Sequence, residues 1–268
     1  MGVAQLRAVG RGRDVPRGSS RDSGAITMRL PVTPTFFPSE RLQAWAERYR
    51  QSFASATPFA HAILDDVLAK EVLDVVIDEF PAPDAIRWNL HRHDHSEKLA
   101  SGEEEHLGDV TRALIHEMNG PRFLTFLETL TGIEGLIPDP WLLGGGLHQL
   151  RRGGFLDIHA DFNFHPKWGL DRRLNVLLYL NRGWQPEWNG QLELWDAAMR
   201  SCCRTIAPIA NRIVIFATTD TSFHGHPAPL QCPDHVTRKS LALYYYSNGR
   251  PAAERSLPHS TLYQATPR

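Results

Sequence analysis

The chain has 268 residues, with 42% hydrophobic and 22% charged side chains and a formal net charge of −1. That length suits one large domain or a core with a helical annex, and the near-zero charge excludes a global basic field for nucleic acid or anionic membrane. No apolar run approaches the roughly 18 residues of a membrane span, and the cysteines, two of them adjacent at Cys202 and Cys203, make neither a disulfide framework nor a zinc knuckle, which points to a reducing cytoplasm.

Residues 1–29 are rich in Arg, Gly and Ser and lack both a signal-peptide core and helical periodicity. They read as a disordered tail, or as an extension upstream of a start at Met28. Residues 30–140 read as a mainly helical annex. "SERLQAWAERYRQSF" follows a cap-like Ser39. "LDDVLAKEVLDVVIDEFP" is amphipathic and ends at Pro81. "WNLHRHDHSEKLASGEEE" is polar and reads as a solvated loop; its His91–His95 run is one residue short of a metallo-hydrolase motif. "HLGDVTRALIHEMNG" and "PRFLTFLETLTGI" read as two further helices, with Gly120 and Gly132 as C-terminal stops.

From Trp141 the pattern changes. "LLGGGLHQLRR", "GFLDIHADF", "RRLNVLLYLN", "GQLELWD", "CCRTIAP", "NRIVIFAT" and "TRKSLALYYYS" are short strand-like runs punctuated by Gly, Pro and Asn. Helices followed by strands point to an α+β protein, with a sandwich or barrel at 141–250, helices packed on one sheet, and a C-terminal tail at 251–268. The triple glycine at 144–146 lacks a phosphate-binding spacing and reads as an entry into a strand. His165, just beyond a strand, reads as a surface residue.

Alternation in "GGFLDIHADF" puts Leu156, Ile158 and Ala160 on one face and Asp157, His159 and Asp161 on the other. Two potential metal ligands, His159 and Asp161, thus stand roughly 7 Å apart on one face. A third is available from "TTDTSFHGHP", at His224 or His226. One carboxylate and two imidazoles with open positions form the facial triad of non-haem Fe(II) oxygenases. In "TRKSLALYYY", Arg238, Ser240, Ala242 and Tyr244 share a face that suits a carboxylate-bearing ligand, whereas Lys239 points the other way.

His159-x-Asp161, then His224, then Arg238-x-Ser240, resembles the Fe(II)- and 2-oxoglutarate-dependent dioxygenases, in the style of the bacterial prolyl-4-hydroxylase-like branch. "HADFNFHPKWGLDRRLNVLLYLNRGW", "NGQLELWD" and "FHGHPAPL" carry the likeness, which covers about residues 141–250. The resemblance implies a double-stranded β-helix (jelly-roll) core, iron held by His159, Asp161 and His224, and His224 rather than His226 as the distal ligand. It implies 2-oxoglutarate held by Arg238 with help from Tyr179 and Ser240, O2 as oxidant, and ascorbate as a candidate reductant. The basic residue lies further from the distal histidine than is usual in the family, and Gln149 stands where a tyrosine is often found. Gln149, Asn163, Trp195 and Tyr244 are the candidate substrate residues.

The function this implies is hydroxylation of an unactivated C–H bond in an amino-acid-like or small-metabolite substrate, with release of succinate and CO2. A peptidyl-prolyl substrate is the alternative within the class, and a non-catalytic cupin-like metabolite binder is the alternative outside it. Asp161 argues against halogenation, which needs the carboxylate's coordination position for chloride. No nucleic-acid or membrane partner is expected.

Overall fold

In the computed structural model the described residues are 35–265, so the expected N-terminal tail at 1–29 lies outside them. In chain order the elements are α1 (Ser39–Ala54), β1 (His61–Leu64), α2 (Lys70–Asp78), β2 (Asn89–His93), β3 (Ser96–Ser101), α3 (Asp109–Met118) and α4 (Pro121–Thr131). They continue with β4 (Ile137–Pro138), β5 (Gly146–Leu150), β6 (Leu156–Ala160), β7 (Phe164–His165), β8 (Leu170–Tyr179) and β9 (Leu192–Trp195). The chain closes with β10 (Cys202–Ile206), β11 (Arg212–Ala217), β12 (His224–His226), β13 (Arg238–Ser247) and β14 (Leu262–Tyr263).

All seven runs expected from Trp141 onward form strands. They pair antiparallel in the order β1-β11-β8-β13-β5-β3-β6-β12-β9-β10, a sheet that curls into a double-stranded β-helix. Strands β8 and β13 read as nearly continuous apolar runs because both of their faces are covered. Leu174, Val176 and Leu178 of β8, with Leu241, Leu243 and Tyr245 of β13, pack against Leu114, Met118, Phe123 and Leu127 of the helices. Each such buried side chain contributes about 1.5–3 kcal/mol. The Tyr245 hydroxyl donates to the Met118 carbonyl at 3.0 Å, which pins the end of α3 to the sheet. The opposite face alternates: Asn175, Leu177 and Tyr179 of β8 stand beside Tyr244, Ala242 and Ser240 of β13, around the interior.

Several local expectations are corrected. Ser39 is the first residue of α1 rather than its cap; Pro38 holds the cap position, with no side-chain cap bond. Leu64 ends a strand, and α2 begins only at Lys70. Gly120 precedes α4 as its N-cap, whereas Gly132 ends α4 in the left-handed conformation expected of it. The polar segment read as a loop is the β2–β3 hairpin. Its second strand pairs with β5 and, at Ser96, with β6, so it spans the gap between the two sides of the β-helix. A short hairpin of mostly polar residues carries no continuous apolar face, which is why it imitates a loop. The expected tail likewise contains β14, which adds to β6. No helix among the described residues is long and apolar enough to cross a membrane.

Candidate active site

Strand β6 delivers His159 directly opposite His224 of β12, and Asp161 follows just beyond the end of β6. The two imidazole centroids lie 4.5 Å apart. Each ring is held by the same device. His159 Nδ1 is 2.8 Å from the Asp157 carbonyl and His224 Nδ1 is 2.9 Å from the Ser222 carbonyl, so both donate N–H there. Both Nε2 atoms therefore carry free lone pairs, and they face Asp161 at 3.7 Å and 3.4 Å. The ligand atoms of His159, Asp161 and His224 all lie within 4.8 Å of one another. His226 does not join this cluster; it is buried further along the same cavity, with Nδ1 unpartnered.

Asp161 is oriented from behind. Its Oδ2 accepts a 2.7 Å hydrogen bond from Asn175 and an ion pair at 3.2 Å from Arg172. Burial alone would raise its pKa, but the charge of Arg172, the largest opposing influence, holds it well below the usual carboxylate range. Burial pushes His224 down to about 4, so the imidazole stands neutral. Arg172 itself is clamped between aromatic faces, 4.4 Å from the Phe162 ring and 3.6 Å from the Tyr244 ring, and donates to Asn175 Oδ1 at 2.7 Å. The donor set suits a divalent iron: two imidazole nitrogens with fixed tautomers, one carboxylate kept ionised, and open space on the cavity side.

At the other end of the cavity stands Arg238. Its Nε donates to the Gly190 carbonyl at 2.7 Å and its NH2 to the Tyr179 hydroxyl at 3.3 Å. Gly190 is required for this contact. Its φ is +76°, and a Cβ there would meet Leu230 at 2.5 Å and Arg238 Cδ at 3.0 Å. Among the described residues no carboxylate pairs with Arg238, although it is only 4% exposed. Ser240, opposite Tyr179 in the register, lines the cavity beside it, and its hydroxyl makes no hydrogen bond among the described residues. Burial raises the pKa of Tyr179, which keeps its hydroxyl protonated. The cavity joining the two ends has a volume of about 230 Å³, with Leu150, Leu156, Leu177 and Leu192 among its walls.

The substrate candidates separate. Tyr244 lines the cavity, its hydroxyl donating to the Gly144 carbonyl at 3.0 Å. Gln149 does not: register places it on the outer face, where its Nε2 donates to the Pro81 carbonyl, and His148 lines the cavity instead. Asn163 is turned to the C-terminal segment, bonding Ser256, Leu257 and His259. Trp195 sits on the outer parity of β9 and donates to Glu193 at 2.8 Å. His165 is buried rather than exposed, stacked on Trp168 at 4.2 Å.

Lys98, His148, Arg172, Asn175, Thr261 and Tyr263 line the cavity without having been singled out from sequence. Arg172 was concealed by a bulge. Between Tyr245 and Tyr246 the β13–β8 register slips past Arg173, so Arg172 turns inward. A second irregularity, between His224 and His226, brings Leu156 onto the same side as His159.

The fold and the site thus define a double-stranded β-helix protein with a two-histidine, one-carboxylate donor set and a buried arginine across the cavity. Residues 145–246 match the model of the 2OG-Fe(II) oxygenase superfamily, and this match supports a 2-oxoglutarate-dependent dioxygenase using Fe(II) and 2-oxoglutarate. No curated protein matches the sequence. Among solved structures it resembles a Pseudomonas putida prolyl-4-hydroxylase, with 17% identity, TM-score 0.54, and coverage of 76% of this chain and 100% of that one. A Trichoplax adhaerens prolyl hydroxylase, in complex with a peptide fragment of the hypoxia inducible factor oxygen degradation domain, aligns at 15% identity, TM-score 0.53, covering 78% and 91%. HygX from Streptomyces hygroscopicus, with nickel and 2-oxoglutarate bound, aligns at 10% identity, TM-score 0.51, covering 80% and 97%. At these identities the likeness is one of fold.

Proposed function

We propose that the protein hydroxylates an unactivated C–H bond of an amino-acid-like or small-metabolite substrate, releasing succinate and CO2. In this reading His159, Asp161 and His224 hold Fe(II), and Arg238, Tyr179 and Ser240 hold the distal carboxylate of 2-oxoglutarate. The observation that carries it is the buried Arg238, without an anion of its own, in the same cavity as the His-Asp-His cluster. A guanidinium is costly to bury unpaired, so a ligand carboxylate of the right reach gains a charge-assisted, bidentate partner there. Fe(II), with 2-oxoglutarate and O2, supplies the oxidising power for C–H hydroxylation.

The chain's own residues do the positioning. The Asp157 and Ser222 carbonyls fix both histidine tautomers, Asn175 and Arg172 aim and ionise Asp161, and the leucine walls exclude water. Anaerobic titration of 2-oxoglutarate into the Fe(II) protein, followed by its visible charge-transfer absorption, tests the assignment. Saturable binding that Arg238→Leu weakens strongly is expected; no binding to the wild type would sink the reading.

A peptidyl-prolyl substrate is the second reading. It is favoured by a groove that meets the cavity at Gly144 and carries exposed apolar groups, Trp141 at 64% and Leu143 at 44% exposure.

A further inference from the structure

The cavity is lined by four formally charged side chains, Lys98, Asp161, Arg172 and Arg238. Two of them satisfy each other: Arg172 and Asp161 form the 3.2 Å ion pair behind the metal ligands. In the functional reading above, Arg238 is met by the distal carboxylate of 2-oxoglutarate. Fe(II) brings two positive charges, of which the chelating carboxylate offsets one. The ammonium of Lys98 then remains, in a cavity that already has positive charge to spare.

Lys98 is placed by the β2–β3 hairpin. It alternates with Ser96 on the face of β3 that lines the cavity, and it is partly buried there. Among the described residues its ammonium makes neither a hydrogen bond nor an ion pair. Burial lowers its pKa to about 8, and the charges that act on it are those of Asp161 and Arg172, at the metal end. Tyr263, which lines the cavity beside Lys98, has its ring centroid 5.6 Å from that of His159, so this wall borders the metal end of the cavity. Ser96 and Tyr263, hydrogen-bonded to each other, line the same wall.

We infer that Lys98 receives an anionic group of the primary substrate, and that the substrate is a small molecule carrying a free carboxylate. This rests on the reading of the cavity as a 2-oxoglutarate oxygenase site and deepens it, because a peptidyl proline, the rival substrate, carries no free carboxylate. A partly buried ammonium with no protein partner selects for an anion and against its neutral isostere, since the isostere leaves the charge unpaired. The carboxylate also anchors the molecule at one end and so restricts which of its carbons reaches the metal.

The test uses the Ni(II)-loaded protein saturated with 2-oxoglutarate, so that binding is read without turnover. The probes are the free L-amino acids and small mono- and dicarboxylic acids, each beside its carboxamide, measured by calorimetry on wild type, Lys98→Met and Lys98→Arg. At least one acid should bind wild type about 30-fold or more tightly than its amide. Lys98→Met should abolish that preference, Lys98→Arg should keep most of it, and 2-oxoglutarate affinity should stay within about threefold in all three. Each variant's unfolding transition reports that it is folded. The inference is overturned if no acid binds, if acids and amides bind alike, or if Lys98→Met weakens 2-oxoglutarate as much as the acid. The last result would place the ammonium on the co-substrate's chelating carboxylate. Failure of 2-oxoglutarate to bind wild type would instead remove the functional reading itself.

Discussion

Two buried arginines face the same cavity from opposite ends, and they are finished differently. Arg172, 1% exposed, has its anion inside the protein: Asp161 at 3.2 Å, with Asn175 beside it and aromatic rings above and below. Arg238, 4% exposed, has a carbonyl and a phenol but no carboxylate. The first arginine completes the protein's own structure and tunes a ligand. The second is incomplete, and the partner it lacks has the chemistry of a carboxylate. A buried cation with a full shell of partners reads as structure; one lacking only its anion reads as a binding site.

The largest effect should come from breaking the completed end. Asp161→Ala removes the carboxylate donor and strands Arg172. Iron content should fall from about one per chain to near none, and coupled hydroxylation should disappear. Because a buried charge loses its counter-ion, the metal-free protein should also lose about 3–5 kcal/mol of stability in denaturant unfolding. Unchanged iron content would refute the assignment of Asp161. At the incomplete end the signs differ. Arg238→Leu should raise the 2-oxoglutarate dissociation constant by roughly 30-fold to several thousand-fold, with iron content near that of wild type. Unlike Asp161→Ala, it should leave the metal-free protein no less stable, since it removes an unpaired buried charge rather than creating one.

Legibility followed the regularity of the strands. His159, Asp161 and Arg238 were visible because strand alternation survives folding around each, the irregularity in β6 falling on the Leu156 side of His159; Tyr179 and the choice of His224 came from the family resemblance. Arg172 was not, because a bulge in the β13–β8 ladder reverses the parity of "DRRLN" and no local residue pattern announces it. Lys98 was missed for a different reason. Its hairpin is short and mostly polar in sequence, so it imitates a loop, and only its pairing with β5 and β6 turns Lys98 inward. Gln149 was misassigned by counting back from His159 rather than by register against β13, which pairs it with Lys239 on the outer face. Long-range pairing supplies what these local patterns leave out.

The third cavity cation sharpens the same contrast through pH. The Lys98 ammonium falls from 10.5 in the unfolded chain to about 8 in the folded one, because burial disfavours its charge. Between those two values the unfolded chain binds the extra proton, so the stability of the metal-free protein should rise with pH from about 8 to 10.5. Below about 8 the full penalty is present, worth roughly 3 kcal/mol. Lys98→Met should therefore be more stable than wild type near neutral pH, and the advantage should vanish above 10.5. Chemical denaturation at pH 7, 9 and 10.5 reads this directly; a constant difference across the series would show that Lys98 does not titrate as a buried group.

The smallest effect is expected one residue from the largest co-substrate effect. Lys239 follows Arg238 in β13 and carries the same charge, but the pleat turns it to the outer face. There its ammonium stands 5.9 Å from the Phe80 ring centroid, and its backbone N–H donates to Asn181 Oδ1 at 2.6 Å. Neither interaction reaches the cavity. If the incomplete end belongs to Arg238 through parity rather than to any basic residue in the segment, Lys239→Leu should change the 2-oxoglutarate dissociation constant by no more than about twofold, less than 0.5 kcal/mol. The backbone bond to Asn181 is untouched by the substitution, so the strand should keep its register and the comparison with Arg238→Leu stays one of side chains alone. Comparable losses in the two variants would mean that the strand binds its ligand in the other register, with β13 shifted by one residue against β8.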